Sequence, residues 1–372
     1  MAAPVRRFVA DRVVTPDPGD LRLREWRPEP KVVLPSHTVE RARFPAVDAH
    51  NHLGRRLSAW IGDAPDAWTV TDVGALLDLM DRCNLRAIVN LDGGWGGDLV
   101  ENLDRYDRPH PGRFATFCHV DWTAAVASGD LGRTAAGSLR DSVRAGAKGI
   151  KVWKDLGLHV RDDRGHLILP DDSRLSPLWE AAADERIPVF IHTADPVAFF
   201  EPIDERNERY EELHVHPEWS FADPSFPRFD RLIDSLEATV AANPATTFVG
   251  VHVGGYAENL GRVGAMLDAY ANYHVDIAAR VAELGRQPRA TRELILMHPD
   301  RVLFGIDEFP PDRENYAIYF RFLETADEHF PHSTEEVPLM GRWAISGLDL
   351  PDDVLRKVYA DSALRLVTGL VP

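Results

Sequence analysis

Cysteine and long apolar runs are scarce in this sequence. Only Cys83 and Cys118 occur among 372 residues, which is too few for a disulfide framework. No stretch is long and apolar enough to span a bilayer, and no apolar run of signal length follows Arg6 and Arg7. These absences predict a protein without a membrane segment, and we expect a cytoplasmic location by default.

Positive charge is also in short supply. Lys and Arg together number 42 against 59 Asp and Glu, which gives a formal net charge of -17. Such a charge repels phosphate backbones and anionic membrane surfaces, so neither nucleic acid nor a membrane is expected as a partner. A small-molecule substrate is expected instead, and it can be anionic, because a bound divalent metal would reverse the local charge.

A Gly-rich phosphate loop is the third absence, since neither a dinucleotide fingerprint nor a P-loop occurs. From Phe44 onward, short β-branched runs alternate with stretches of helical period, a pattern typical of a parallel sheet flanked by helices. The predicted strands are 46–52, 86–91, 114–120, 149–153, 188–192, 247–252, 273–278 and 302–306. The predicted helices are 72–81, 131–145, 177–184, 229–242, 259–270 and 289–297, with Pro177 at a helix start.

Eight strands separated by helices predict an α/β fold, specifically a closed (β/α)8 TIM barrel. An open doubly wound sheet has the same count, but the missing phosphate loop favours the barrel. We place the barrel in residues 45–372 and an irregular N-terminal arm, rich in Pro, Arg and Asp, in residues 1–44. A final amphipathic helix at 352–367 should pack on the barrel exterior. Because Trp26 on the arm could reach a second copy, a homodimer stays open.

Histidine or aspartate stands at the end of four of these strands. His50 and His52 lie on the first, His192 on the fifth and His252 on the sixth, while Asp307 follows the eighth. The carboxyl ends of barrel strands share one rim, and residues two apart on a strand point to the same side. Imidazole and carboxylate donors predict a divalent metal site, for zinc or iron first and manganese as a further option.

The segments around these residues resemble the amidohydrolase superfamily. They read Val47-Asp48-Ala49-His50-Asn51-His52, Val189-Phe190-Ile191-His192, Val251-His252-Val253-Gly254-Gly255 and Leu303-Phe304-Gly305-Ile306-Asp307. The resemblance is closest to the branch that includes aromatic-acid decarboxylases and lactonases alongside hydrolases. It implies that His50, His52, His192 and Asp307 ligate a metal, and that Asp307 accepts the proton of the attacking water. It also implies that His252 either binds a second metal or acts as the catalytic acid or base.

The fourth strand decides between one metal and two. Binuclear members of the superfamily carry a carboxylated lysine there that bridges the metals. Within Ala147-Lys148-Gly149-Ile150-Lys151-Val152-Trp153-Lys154, Lys151 is the first choice and Lys154 the second. The alternative is that both lysines are solvated or form salt bridges.

Substrate contacts are expected from three further places. Arg280, after the seventh strand, can hold a carboxylate or carbonyl with two hydrogen bonds, although a structural salt bridge is the alternative. Trp95 lies between two glycine pairs beyond the second strand and would place an indole at the barrel mouth. The long connection 195–229 is expected to form a lid or pocket wall, or else ordinary loop packing, through Phe199, Phe200, Arg206, Asn207, Arg209 and Tyr210.

The function expected from this set is metal-assisted hydrolysis of an ester, thioester, lactone or amide bond in a small acyl substrate. The alternative is a non-oxidative decarboxylase that uses a single metal on the same scaffold. A barrel that only binds a ligand is a third hypothesis, but the complete set of ligand residues argues against it.

Overall fold

The computed structural model describes residues 19–56 and 67–371. They form two compact units, the first ending at Pro35 and the second beginning at Ser36. The first unit contains a 3-10 turn at Leu23–Glu25. In the second unit, the backbone N–H of Arg43 donates to Glu324 (2.8 Å). Residues 36–44 therefore belong to the larger unit, while the arm at residues 1–44 stays a prediction, and its first eighteen residues lie outside the described part of the chain.

Eight parallel strands are present where the sequence pattern predicts them. β1, β2 and β3 pair in that order, and β4 to β8 pair consecutively. Their bounds are β1 Ala46–Asn51, β2 Leu85–Asn90, β3 Phe114–Thr116, β4 Ile150–Val152, β5 Val189–Ile191, β6 Phe248–Gly250, β7 Tyr273–Asp276 and β8 Val302–Leu303.

Backbone hydrogen bonds join the two groups of strands into a closed barrel. At one junction, the N–H of Ala49 donates to the carbonyl of Phe304 (2.9 Å). At the other, the N–H of Lys151 donates to the carbonyl of Cys118 (2.8 Å), and Cys118 forms a parallel bridge with Ile150. The predicted (β/α)8 barrel is therefore confirmed, and the open sheet is excluded.

Helices follow the strands, and those predicted from periodicity lie within two residues of their expected bounds. The longer helices are Val73–Cys83, Gly96–Arg105, Leu131–Ala145, Ser176–Glu185, Phe229–Ala242, Leu260–Ala269, Pro288–Met297 and Arg313–Glu324. Shorter ones are Trp122–Ala127, Tyr210–Val215, Val281–Arg286, Asp352–Arg356 and Ser362–Leu366. Single turns that contain non-helical residues stand at Asp155–Leu158 and Val251–Gly254. Pro177 stands in the first turn of its helix, as expected. Every helix described is too short or too polar to cross a membrane.

The final helical segment differs from the prediction in two respects. A π-helical turn at Lys357–Asp361 interrupts it, and the carbonyl of Val358 accepts a hydrogen bond from the N–H of Phe304 (3.0 Å). Ala360, Ala363 and Val367 pack in one cluster with barrel residues such as Val47 and Val249. The segment thus helps to close the barrel core, whereas we expected it to lie on the exterior.

Alternation along the strands decides which side chains fill the barrel. Val189 and Ile191 of β5 belong to the large cluster that includes the helices, while Phe190 between them belongs to the smaller interior cluster. On β4, Ile150 and Val152 likewise join the large cluster. Lys151 therefore points into the barrel, where it is 1% exposed.

The segment after the helix Arg313–Glu324 adds a small hairpin that the sequence pattern does not predict. It pairs β9 Phe330–Pro331 with β10 Ala344–Ile345 in antiparallel fashion. Strands of two residues carry no periodicity, so pattern analysis cannot detect them.

A buried carboxylate below the barrel mouth depends on a tyrosine. Asp48 is fully buried and accepts hydrogen bonds from the hydroxyl of Tyr316 (2.6 Å) and the N–H of His50 (3.0 Å). Because Tyr316→Phe leaves this carboxylate short of a donor, it should lower the free energy of unfolding by about 1–3 kcal/mol. Urea denaturation measures the change, with Tyr210→Phe at an exposed site as the control. Equal stability of the two variants would contradict this.

Candidate metal centre

The predicted ligand residues converge at the carboxyl ends of the strands. The imidazole of His50 lies 5.4 Å from that of His52 and 4.8 Å from that of His252 between ring centroids. His192 lies 4.5 Å from His252 by the same measure. Asp307 brings Oδ1 to 3.0 Å from Nε2 of His52 and Oδ2 to 3.6 Å from Nε2 of His252. The structure thus gathers the four histidines around one carboxylate.

Two of the imidazoles are oriented by acceptors on their far side. Nδ1 of His252 lies 2.8 Å from the carbonyl of Ala278, which can only accept, so Nδ1 carries the proton. Nδ1 of His50 lies 2.8 Å from Oδ2 of Asp276. In both rings Nε2 then keeps its lone pair and points toward Asp307, the arrangement that a metal-binding histidine requires.

The electrostatics of the site favour neutral imidazoles and an ionised carboxylate. Burial, aided by the charge of Lys151, lowers the pKa of His50, and burial lowers that of His252 as well. Burial also lowers the pKa of His192 to about 4. Burial alone would raise the pKa of Asp307, but His50 and His52 outweigh it and hold that pKa below its usual range.

Strained backbone places two of these residues. His252 has φ 56° and Asp307 has φ 57°, in the left-handed region that residues other than glycine rarely adopt. The β-branched Val253 also has a positive φ, of 59°. Each such residue costs on the order of 1–3 kcal/mol, which the surrounding packing must offset. The strain therefore falls on the loops that carry the candidate ligands.

The donor set fits a divalent cation. One ligand atom each from His50, His252 and Asp307 lies within 4.8 Å of the others. Two atoms bound about 2.1 Å from one ion lie about 3 Å apart, close to the His52–Asp307 separation of 3.0 Å. Oδ1 of Asp307 and Nε2 of His192 are buried without a hydrogen bond from the described residues. A bound cation would satisfy both atoms.

Asp276 contacts the candidate ligands but is not among the residues predicted from the sequence. It ends β7, is fully buried, and accepts the backbone N–H groups of His252 (2.8 Å) and Ala278 (3.2 Å) besides contacting His50. Its position could have revealed it, because Asp276 is an acidic residue at the carboxyl end of β7, on the same rim as Asp307 after β8. It does not belong to a His-containing motif of the kind that marks the other candidates.

The two lysines of the fourth strand have different surroundings. Nζ of Lys151 lies 3.3 Å from Nε2 of His50, inside the ligand group, and no described carboxylate is within salt-bridge distance of it. Lys154 lies beyond the strand end and pairs with Asp195, whose Oδ1 is 3.3 Å from Nε2 of His192. The geometry therefore separates the two candidates for the bridging position.

A cavity of about 610 Å³ opens above the ligands and is called the metal cavity below. His52, His192, His252 and Asp307 line it. Arg280 lines it too, is 6% exposed, and donates only to the neighbouring carbonyl of Ala279 (2.7 Å) among the described residues.

Of the other residues predicted to contact substrate, some line the metal cavity and some do not. From the long connection, Phe199 and Arg209 line the metal cavity, but Arg209 is held in ion pairs with Glu212 and Glu283. Among the remaining four, Asn207 is buried, Phe200 is half-buried, and Arg206 and Tyr210 are exposed. Trp95 lines a neighbouring cavity instead of the metal cavity.

A (β/α)8 barrel with imidazole and carboxylate donors at its strand ends is the architecture of metal-dependent barrel enzymes. The sequence shows which family within that class the chain belongs to. It belongs to the amidohydrolase family, in the amidohydrolase-2 branch, because the family model matches residues 47–368. No curated protein matches the sequence.

Several solved structures share the fold at low sequence identity. A 2,6-dihydroxybenzoate decarboxylase from Rhizobium has TM-score 0.54 and 15% identity, covering 87% of this chain and 98% of its own. A dihydroxybenzoic acid decarboxylase from Polaromonas sp. JS666, with bound manganese and 2-nitroresorcinol, has TM-score 0.55 and 14% identity over 87% and 96%. An uncharacterised TIM-barrel protein from Bordetella bronchiseptica has TM-score 0.52 and 14% identity over 86% and 97%. These likenesses show the barrel fold.

Asp276→Asn tests the carboxylate behind His50. The amide keeps an acceptor for the two backbone N–H groups, but its own N–H₂ meets the donor Nδ1 of His50 or forces a flip of the amide. We expect metal affinity to fall about 10- to 100-fold, as measured by titration against a competing chelator. Asp234→Asn, at a surface ion pair with Arg262, is the matched control. Unchanged affinity in Asp276→Asn would argue against this role.

Proposed function

We propose that this protein is a metal-dependent hydrolase that cleaves an ester, thioester, lactone or amide bond in a small acyl substrate. The observation that carries the proposal is the position of Lys151. Its side chain points into the barrel and its Nζ reaches 3.3 Å from Nε2 of a candidate metal ligand. The proposal takes this lysine to correspond to the carboxylated bridging lysine that binuclear members of the superfamily carry on the fourth strand.

The surroundings of Lys151 suit carboxylation. Reaction of an amine with carbon dioxide requires the neutral form, and burial lowers the pKa of Lys151 from its usual value. Asp307 and Asp276 favour an ammonium at this position, but burial outweighs them, and no described carboxylate lies within salt-bridge distance of Nζ. We therefore favour Lys151 over Lys154 as a ligand to one or two divalent ions, because Lys154 already has Asp195 as its counter-ion.

The remaining ligands in the proposal are His50, His52, His192, His252 and Asp307. A divalent ion held by them, whether zinc, iron or manganese, supplies a Lewis acid and lowers the pKa of water. Asp307 stays ionised because its pKa is held below the usual range, so it can take the proton that the attacking water releases. His252 serves as a second ligand or as an acid or base through its free Nε2.

Arg280 is the proposed substrate anchor. Its guanidinium is buried at the wall of the metal cavity and forms no ion pair with the described residues. A substrate carboxylate or carbonyl could therefore accept two hydrogen bonds from it.

A non-oxidative decarboxylase is the second candidate. The same Arg280 favours it, because such an enzyme must hold a carboxylate beside its metal, and two of the structures with this fold bear the names of dihydroxybenzoate decarboxylases. This alternative needs a single metal and gives Lys151 no ligand role. A barrel without catalytic activity is disfavoured by the complete ligand set.

Metal content and hydrolysis of Lys151→Ala distinguish these candidates. In protein expressed with excess metal, elemental analysis should find two ions per chain in the wild type and one in Lys151→Ala. Hydrolysis of a panel of aryl esters, acyl thioesters, lactones and anilides should fall at least about 100-fold, since a ligand to both ions is lost.

Lys154→Gln is the matched control, because it removes a neighbouring ammonium and should retain both ions. One ion per chain in the wild type, unchanged in Lys151→Ala, would contradict the binuclear hydrolase. Release of carbon dioxide from dihydroxybenzoates by such a protein would support the decarboxylase.

A further inference from the structure

We infer that a second cavity beside the metal centre binds the apolar part of an elongated substrate, an acyl chain or aryl group attached to the scissile bond. The inference rests on the proposed function, because it takes the substrate to be an acyl compound that reacts in the metal cavity. The cavity has a volume of about 900 Å³, within the range of small-molecule binding sites. We call it the tail cavity.

The tail cavity adjoins the metal cavity. Lys151, Trp153 and Lys154, all on β4 or just after it, line both. In this inference the substrate extends from one cavity into the other past these shared residues. The reacting group would then be close to Asp307, and the remainder would extend past Trp153.

The lining of the tail cavity is mainly apolar and aromatic. Trp95, Trp122 and Trp153 contribute three indoles, and aliphatic side chains lie between them at Val120, Val126, Ala127 and Val160. Flat aromatic faces and aliphatic groups of this kind bind hydrocarbon and aryl groups by excluding water.

Three of the charged side chains that line the tail cavity, Arg56, Asp121 and Lys154, have partners within the protein. Arg56 stacks on Trp95 with its guanidinium carbon 3.5 Å from the ring centroid, and it donates to Asp98. Asp121 caps the helix Trp122–Ala127 by accepting the N–H of Ala124 (2.9 Å). Lys154 pairs with Asp195. The indoles and aliphatic side chains make up the larger part of the surface that the tail cavity offers a ligand.

Trp153 lies at the boundary of the two cavities and lines both. Its ring lies 4.9 Å from that of His52 and 5.6 Å from that of His119 between centroids. The indole Nε1 lies 3.2 Å from Nε2 of His119, which in turn lies 2.7 Å from the carbonyl of Leu91. A substrate chain leaving the metal cavity would pack against this indole.

Binding of straight-chain carboxylates tests the inference without requiring turnover. The carboxylate of acetate, hexanoate or decanoate resembles an acyl product and should bind at the metal and Arg280, with its chain in the tail cavity. Each methylene that becomes buried should tighten binding about fourfold. Calorimetry on the metal-loaded wild type should therefore show decanoate binding at least about 100-fold more tightly than acetate.

Two substitutions fill the tail cavity. Ala127→Trp and Val126→Phe should each weaken decanoate binding at least about 10-fold, equivalent to fewer than two buried methylenes, and leave acetate within about twofold. Ala124→Trp, on the same helix but outside the lining, is the control and should bind both ligands as the wild type does. The second variant decides the test if the first fails to fold.

Two results would overturn the inference. One is equal affinity for acetate and decanoate in the wild type, and the other is a chain-length dependence that both folded variants retain in full. Failure of the proposed function looks different. In that case no acyl bond is hydrolysed, yet the chain-length dependence and its loss in the filled variants are still observed. Hydrolysis without any chain-length dependence would reject the tail cavity alone.

Discussion

One buried carboxylate connects the ends of three strands at the barrel mouth. Asp276 at the end of β7 contacts the imidazole of His50 from β1 and accepts the backbone N–H of His252 after β6. Burial raises the pKa of Asp276, which favours its protonated form. Protonation would remove the negative charge that faces the imidazole of His50. Bound cations favour the ionised form. Binding of a cation at the candidate site would therefore depend on the charge of Asp276.

The strained backbone at the barrel mouth is stabilised by the packing and hydrogen bonds around it. The left-handed residues His252, Val253 and Asp307 persist because their neighbours leave no lower-energy arrangement. The backbone N–H of Asp307 donates to the carbonyl of His50 (2.9 Å), so a hydrogen bond links the loop after β8 to β1. Candidate ligands held in this way are preorganised, so an ion that binds them would require little rearrangement.

Much of the fold follows from pattern alone, because each strand of this barrel is a short β-branched run and each helix has a clear period. The candidate ligands at His50, His52, His192, His252 and Asp307 could be found since strand ends share a rim. Contacts between residues far apart in sequence could not be predicted from the sequence pattern. The bond from Tyr316 to Asp48 and the pairing of Lys154 with Asp195 depend on packing that no local pattern encodes. The tail cavity is likewise a space between elements.

The closing helical segment has a consequence for how the chain is made. Ala360, Ala363, Val367 and Leu370 complete the same apolar cluster as strand residues that are synthesised some three hundred residues earlier, such as Val47. Until the ribosome releases this segment, one end of the barrel core is open to water. The interior is therefore sealed only once this segment has been synthesised, and folding before that point relies on the strand pairs already available.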